Sequence, residues 1–392
     1  MAKIESHRPR WICNNQKSIK AEKYKVIVDA LNSDAEMLPG RLTILPPSIY
    51  GSPWWYAKEF QDAMALVRIK GKPDFFLTFT CNPKWPEITG SLFESQPAHQ
   101  RPDIIARVFS MKVEALLTDL LKHDILGHVG AYVMVKETQK RHLPHIHMLL
   151  TMVPRDKPRT STDIDRVVSA EIPNSNTNPE LHRIVTSHMI HGPCGEWNNA
   201  SPCMADQKCT KHYPKVLREK TSFSEDSYSL YRRRAETAPG TPIMKTIRGG
   251  VNVSVNNAWV VPYNPYILLR YNTHINLEIV CAITSVKYLY QFLEKGPDQC
   301  LVRLDVPDEE TRQALRRDGV TQYELGRYIT ASEAYWRIYD FPIQRKQPPV
   351  QMLTVHLEDE QVITFNDQGA AHDLVDSGPP ATTLTAFFDA MI

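Results

Sequence analysis

Two strand-like runs joined by a short polar link constrain this chain most. Ala131-Tyr132-Val133-Met134-Val135-Lys136-Glu137 is apolar and β-branched, and His145-Ile146-His147-Met148-Leu149-Leu150 follows closely after Gln139-Lys140-Arg141-His142. Such a pair predicts an antiparallel hairpin. Alternate side chains of a strand face opposite ways, so His145 and His147 project from one face while Ile146 points into the core on the other. The two imidazoles could then hold one metal ion. The odd-numbered face of the partner strand would offer a third ligand, Glu137 or Gln139. By itself the histidine pair is a weak signal, because this spacing arises often by chance.

The elements before the hairpin supply its packing partners. Phe75-Phe76-Leu77-Thr78-Phe79-Thr80 is short, aromatic and β-branched, and Asn82-Pro83 stops it, so a buried strand is predicted over 74–80. Arg101 to His123 carries the longest helical pattern, with Ile105, Val108, Phe109, Val113, Leu116, Leu117 and Leu120 forming one stripe. A shorter helix is expected over 57–69, ended by Gly71. Strand, long helix and paired strands together predict an α+β fold, with helices against a central, mainly antiparallel sheet. Before it, residues 1–53 read as a lead-in with one helical pattern over 20–31.

Downstream lies a second cluster of metal-ligand residues. His188, His191, Cys194, Cys203, Cys209 and His212 are interleaved with Gly, Pro and Asn that permit tight turns, and three of the seven cysteines fall there. The start Met1-Ala2-Lys3-Ile4-Glu5 has no apolar signal-peptide core, which suggests a reducing compartment and metal rather than disulfide chemistry. Zn²⁺ suits three cysteines and one histidine, the histidine being left among His188, His191 and His212. Beyond it runs a basic tract, Lys208, Lys211, Lys215, Arg218, Lys220 and Arg232-Arg233-Arg234, with Tyr213, Tyr228 and Tyr231 between. The formal net charge is only +2, so nucleic-acid affinity would have to come from such a local cluster. Lysines and arginines on phosphates with tyrosines on bases suit single-stranded DNA or RNA.

A helix is predicted over 276–295, with Ile279, Ile283, Val286, Tyr290 and Leu293 on its buried face and Tyr288, Gln291 and Lys295 on a polar one. Further helical patterns reach about Tyr339, and the alternating stretch 350–365 reads as a hairpin around Glu358-Asp359-Glu360. No apolar run approaches the ~18 residues of a membrane span. No GxxxxGK[ST] loop is present, so ATP hydrolysis by the usual phosphate cradle is not expected.

A His-apolar-His strand followed by a presented tyrosine on a later helix resembles the HUH nucleases, which nick single-stranded DNA in rolling-circle replication. The wider sequence is similar to one branch, the Rep nuclease domain of eukaryotic Helitron transposases. The resemblance rests on Phe60 to Ala65, Thr78-Phe79-Thr80-Cys81-Asn82-Pro83-Lys84-Trp85-Pro86-Glu87-Ile88, Gln139 to Leu150, Met189 to Pro214, Trp259 to Pro265 and Tyr271 to Gly296, and covers about residues 45–365. It implies an HUH core over 54–300 with a zinc-binding and basic insertion at about 186–248. An accessory region over 301–367 and a linker over 368–392 would follow.

The resemblance further implies a catalytic Mg²⁺ or Mn²⁺ on His145, His147 and a third group, with Gln139 at the best-matching position and Glu137 next. It prefers His191 for the structural Zn²⁺ site with Cys194, Cys203 and Cys209, because the His-Gly-Pro-Cys run is intact. The basic tract points to DNA contacts from Lys211, Lys215, Arg232, Arg233 and Arg234, and the resemblance implies a nuclear location and a helicase module in the longer family protein. The family's Tyr-x-x-x-Tyr-x-x-Lys pattern reads here as Tyr288, Phe292 and Lys295. Tyr288 would attack to form a 5′-phosphotyrosine, whereas Phe292 has no hydroxyl with which to do so. Tyr290 would not replace it, since two helical residues turn a side chain about 200° away. The competing expectation is a non-catalytic nucleic-acid-binding zinc module, which Phe292 favours.

Overall fold

The computed structural model describes residues 53–138, 143–223, 229–235, 239–246, 250–280, 330–365 and 377–391, together with strands β1 (Lys20–Lys23) and β2 (Arg41–Leu42). The chain forms two compact units, one of residues 66–293 with 330–348 and the other of 1–65, 294–329 and 349–392.

The first unit is built on a five-stranded antiparallel sheet. Its strands are β3 (Phe75–Thr80), β4 (Val129–Thr138), β5 (Pro144–Met152), β12 (Ile275–Ile279) and β13 (Gln344–Gln347), in the order β12-β3-β5-β4-β13. The hairpin expected from the two apolar runs forms between β4 and β5, with Glu137 opposite His145 and Val135 opposite His147. On its other side β5 pairs with β3, placing Thr80 beside His145 and Thr78 beside His147.

One face of this sheet is apolar and the other carries the histidines. Phe75, Leu77 and Phe79 of β3, Ile146, Met148 and Leu150 of β5 and Leu277 of β12 are all almost wholly buried. The long helix Pro102–Leu121 covers that face, starting at a proline whose missing N–H costs nothing at a helix N-terminus. All seven residues of its predicted stripe are buried. Phe109 stacks on Phe79 at 5.4 Å and meets Trp336, on the helix Ala331–Ile338, at 6.0 Å between ring centroids. A polar cross-brace ties this layer to β12. The buried Tyr271 hydroxyl donates to the Asp119 carboxylate at 2.6 Å, and His123 Nδ1 and Arg270 Nε meet the same carboxylate. Tyr271→Phe is expected to lower stability by about 1.5–3 kcal/mol, the range for a hydrogen bond to a charged group, read as a shift in the urea midpoint with an unchanged slope.

A second core in the same unit gathers Ile184, Val185, Met189 and Ile190 with Val253, Val255, Trp259, Val260, Tyr263 and Leu268. Ile184 and Val185 come from the helix Pro179–His188, Leu268 from the helix Pro265–Tyr271, and Val253 and Val255 from the hairpin of β10 (Ile243–Thr246) with β11 (Asn252–Val255). The rest come from the segments that follow the first helix and β11. Two further strand pairs of two residues each, β6 (Met204–Ala205) with β7 (Lys208–Cys209) and β8 (Ser222–Phe223) with β9 (Ser229–Leu230), shape the intervening loops.

The second unit contains a three-stranded sheet, β14-β1-β2, in which β14 (Val362–Phe365) pairs with Lys20–Lys23. It also holds the helix Thr383–Asp389, begun by a reciprocal Thr382–Thr385 capping box.

Several sequence expectations are corrected here. The helix expected over 276–295 does not begin at Asn276, because Ile275, Leu277 and Ile279 alternate with Asn276 and Glu278 and form the edge strand beside β3. Two apolar residues at spacing two fit a pleat as well as a helix's start, and only the neighbouring strand decides. The helical pattern at 20–31 likewise opens as a strand. Val362–Phe365 pairs with the N-terminal segment, not with 350–357, so the hairpin around Glu358-Asp359-Glu360 does not form. Residues beyond 367 include a capped helix and are not wholly a linker. Residues 330–348 supply the helix Ala331–Ile338 and the edge strand β13 to the first unit.

Candidate metal centres

The polar face of the main sheet holds the first cluster. His145 Nε2 and His147 Nε2 lie 3.0 Å apart, and Glu137 Oε2 is 3.3 Å from each. The register explains this, because Glu137 sits directly across from His145 and both histidines point to the same side. Phe76 stacks flat on His147 at 5.4 Å, fixing its ring plane, and Thr78 Oγ1 is 3.0 Å from His147 Nδ1. A tautomer that gives its Nδ1–H to Thr78 leaves the Nε2 lone pair facing the cluster. His145 is 4% exposed, and its Nδ1 is buried with no hydrogen-bond partner.

These donors fit a divalent ion. Neighbouring ligands of an octahedral ion at about 2.1 Å lie roughly 3.0 Å apart, close to the separations seen. One carboxylate and two imidazoles make a mixed oxygen and nitrogen donor set that suits a divalent ion. Among the described residues, Glu137 is the third group beside the two imidazoles. Gln139, the other candidate, lies outside the described residues, as do Tyr288, Tyr290, Phe292 and Lys295.

The second cluster is closed. His191, Cys194, Cys203 and Cys209 bring their ligand atoms within 4.8 Å of one another, and Cys209 Sγ is 3.4 Å from His191 Nε2. Tetrahedral Zn²⁺ bonds of about 2.3 Å to sulfur and 2.0–2.1 Å to nitrogen would separate those two atoms by roughly 3.6 Å. The loop is positioned by the β6–β7 pair, by His191 N–H donating to Trp259 O at 2.8 Å, and by Tyr213 stacked on the His191 ring at 4.1 Å. His188 and His212, the other histidines considered, do not join the four. Burial pushes the Cys194 thiol up to about 12, reinforced by Cys203 and Cys209 beside it. Burial, with Lys215 and Lys211 nearby, pushes His191 down to about 4 and keeps it in the neutral, metal-binding form. A cation bound there would favour the thiolate form of Cys194 against the burial that opposes it.

The basic tract divides on folding. Arg233 is 3% exposed, and its guanidinium donates at 2.7 Å to Asn257 O and Val260 O, stitching the second core. The expected phosphate contact there is corrected: an arginine in the tract's centre serves backbone carbonyls. Arg234 makes a bidentate pair with Glu171, and Arg232 lies 3.4 Å from both Asp165 and Glu171. Lys211 is exposed, and Lys215 is half-buried over the Tyr213 ring at 5.0 Å. Tyr231 turns inward as well, its hydroxyl accepting from Ile279 N–H at 2.7 Å. Tyr228 lies outside the described residues.

The threonines beneath the histidines were not singled out from sequence. Thr78 and Thr80 read as ordinary β-formers, and their role as neighbours of His147 and His145 depends on how β3 pairs. Among the described residues no helix is long and apolar enough to cross a membrane.

Residues 1–150 match the family model described as a Helitron helicase-like domain at the N-terminus. The matched stretch ends within β5 and includes Glu137, His145 and His147. No curated protein matches the sequence.

Proposed function

We propose, from the match of residues 1–150 to the Helitron helicase-like N-terminal domain, that this chain is the single-stranded DNA endonuclease and strand-transfer domain of a Helitron-like rolling-circle transposase. The observation that carries this reading is the Glu137–His145–His147 cluster on one strand pair of an antiparallel sheet, inside the family-matched stretch.

Glu137, His145 and His147 would hold Mg²⁺ or Mn²⁺, which when bound supplies charge neutralisation at a scissile phosphate. Phe76 and Thr78 hold the His147 ring in place, and burial of His145 limits its motion. Tyr288 would attack the phosphorus through its hydroxyl oxygen, giving its proton to a base or solvent. The new P–O bond links the DNA 5′ end to the tyrosine, the P–O3′ bond breaks, and the leaving 3′ oxygen takes up a proton. The covalent link conserves the phosphodiester, so attack by another 3′-OH rejoins DNA without ATP. Lys295 would contact a phosphate. The closed cluster of His191, Cys194, Cys203 and Cys209 would carry structural Zn²⁺, and Lys211, Lys215, Arg232 and Arg234 would meet the DNA backbone. A helicase module in the longer family protein and a nuclear location complete the proposal.

The test is incubation with end-labelled single-stranded oligonucleotides in Mg²⁺ or Mn²⁺, followed by denaturing gels and peptide mapping. A shifted protein–DNA band is expected, with the modification at Tyr288. Because Phe292 has no hydroxyl, the adduct should accumulate until a 3′-OH strand is supplied. Modification at Tyr290 would refute the assignment of the nucleophile. Phe292 also favours a second reading, a non-catalytic single-strand-binding zinc module, and salt-sensitive DNA binding with no adduct across a randomised oligonucleotide pool would support it instead.

A further inference from the structure

The row of side chains that contains His145 continues past β5 to the other edge of the sheet. Thr80 lies beside His145, and the β12–β3 register, which pairs Ile275 with Phe79, brings His274 beside Thr80. The Thr80 N–H donates to His274 O at 3.1 Å, locking that alignment. Two strand spacings place His274 about 10 Å from His145 along the same face. Thr80 is 8% exposed, and its hydroxyl has no hydrogen-bond partner.

Three further segments end at this point of the sheet. Asn82, just after β3, donates its amide to Asn272 O at 2.7 Å and accepts the Lys84 N–H at 2.9 Å, which fixes the turn bearing Lys84. Asn272 follows the helix Pro265–Tyr271 in a left-handed conformation, φ 43°, and leads within two residues into His274. His188 ends the helix Pro179–His188, beside Asn272. Lys84 is exposed, and among the described residues its ammonium has no carboxylate partner. Lys84 and Arg183 are the charged side chains that act on His188. Burial lowers His188, helped by Arg183 and Lys84, and burial pushes His274 down to about 4, helped by His188 and His145. The turn bearing Lys84, the end of the His188 helix, His274 and the buried Thr80 hydroxyl are thus brought to one end of the sheet.

We propose that Lys84, His188 and His274 form a phosphate subsite beside the Glu137–His145–His147 cluster, which takes the phosphodiester next to the one being cut. This rests on the nuclease reading for its register but not for its chemistry. Lys84 supplies the full charge, each neutral imidazole supplies one N–H, and Thr80 supplies a hydroxyl at the floor. The subsite sets which stretch of backbone lies over the metal cluster.

The experiment measures binding of a fluorescent single-stranded oligothymidine to the full chain by anisotropy over a salt series, in parallel with Mn²⁺ titration and the nicking assay. Lys84→Gln is expected to weaken binding about three- to tenfold at low salt and to flatten the log–log salt slope by about 0.7, the value for one lost phosphate contact on a single strand. His274→Gln is expected to weaken binding about two- to tenfold, as one hydrogen bond, with little change of slope. Mn²⁺ affinity should stay at the wild-type value in both. Exposure of Lys84 makes its variant insensitive to packing, so a folding defect in the His274 variant leaves a decisive test. Wild-type binding and slope in Lys84→Gln would overturn the subsite, as would oligothymidine binding by the unaltered protein that does not depend on salt. Weakened binding in the variants with no nicking by the unaltered protein would instead refute the nuclease reading and leave the subsite standing.

Discussion

Alanine at both His145 and His147 is expected to reduce nicking of single-stranded DNA by about 10³-fold, the order expected when several kcal/mol of charge stabilisation at the phosphate is lost. The two rings contribute two of the three donor atoms in the cluster, with Glu137 Oε2 the third. Removing both leaves one carboxylate, which holds a divalent ion too weakly to keep it in place at ordinary concentrations. The fold should survive, because both rings lie on the polar face of the sheet while Ile146 between them packs at 0% exposure on the other. Glu137→Gln removes charge but keeps an oxygen, so its loss should be smaller and partly recovered at higher Mn²⁺. Initial rates of adduct formation, with Mn²⁺ binding measured by calorimetry, check all three variants. Full activity in the double variant would place the metal elsewhere and sink the nuclease reading of this strand pair.

Removal of Zn²⁺ is expected to unfold the second core, since structural zinc in small cysteine–histidine sites contributes on the order of 10 kcal/mol of folding free energy. Cys194 and Cys209 are both buried within that core, packed with Met189, Trp259 and Val260. Without a cation the same cluster would bring three sulfurs together, two of them buried, and burial, reinforced by Cys203 and Cys209, holds the Cys194 thiol high. Elemental analysis should find one Zn²⁺ per chain. Chelation should lower the melting temperature by more than ten degrees, and Cys209→Ser should reproduce it. His212→Ala, by contrast, should leave zinc content unchanged, because that exposed residue is not one of the four. Zinc-free protein that melts at the same temperature would refute the assignment.

The sequence by itself determined the elements whose periodicity has one interpretation. Seven apolar residues at helical spacing over 101–123 left little choice but a long amphipathic helix, and all seven are buried in it. Two β-rich runs with a four-residue polar link defined the β4–β5 hairpin and the side on which His145 and His147 stand. The short-range cysteine spacing likewise limited the candidate metal ligands to a few residues, because a tight loop brings near neighbours together whatever the rest of the fold does.

Only the tertiary structure decided what depends on long-range pairing. Ile275–Ile279 became a strand because β3 offers an unpaired edge, a gain that outweighs any local helical preference of five residues. Pairing between Lys20–Lys23 and Val362–Phe365 joins residues more than three hundred positions apart, and no local pattern carries that information. Arg233 looked like one of three surface cations. Its immediate neighbours pair with carboxylates, while it alone turns inward to carbonyls that the loops bring together from residues 257 and 260. The same holds for the choice of His191 over His188 and for the line of Glu137, His145, Thr80 and His274 across four strands. A one-dimensional pattern sets which way a side chain faces on its own strand, but the register of the neighbours sets what it faces.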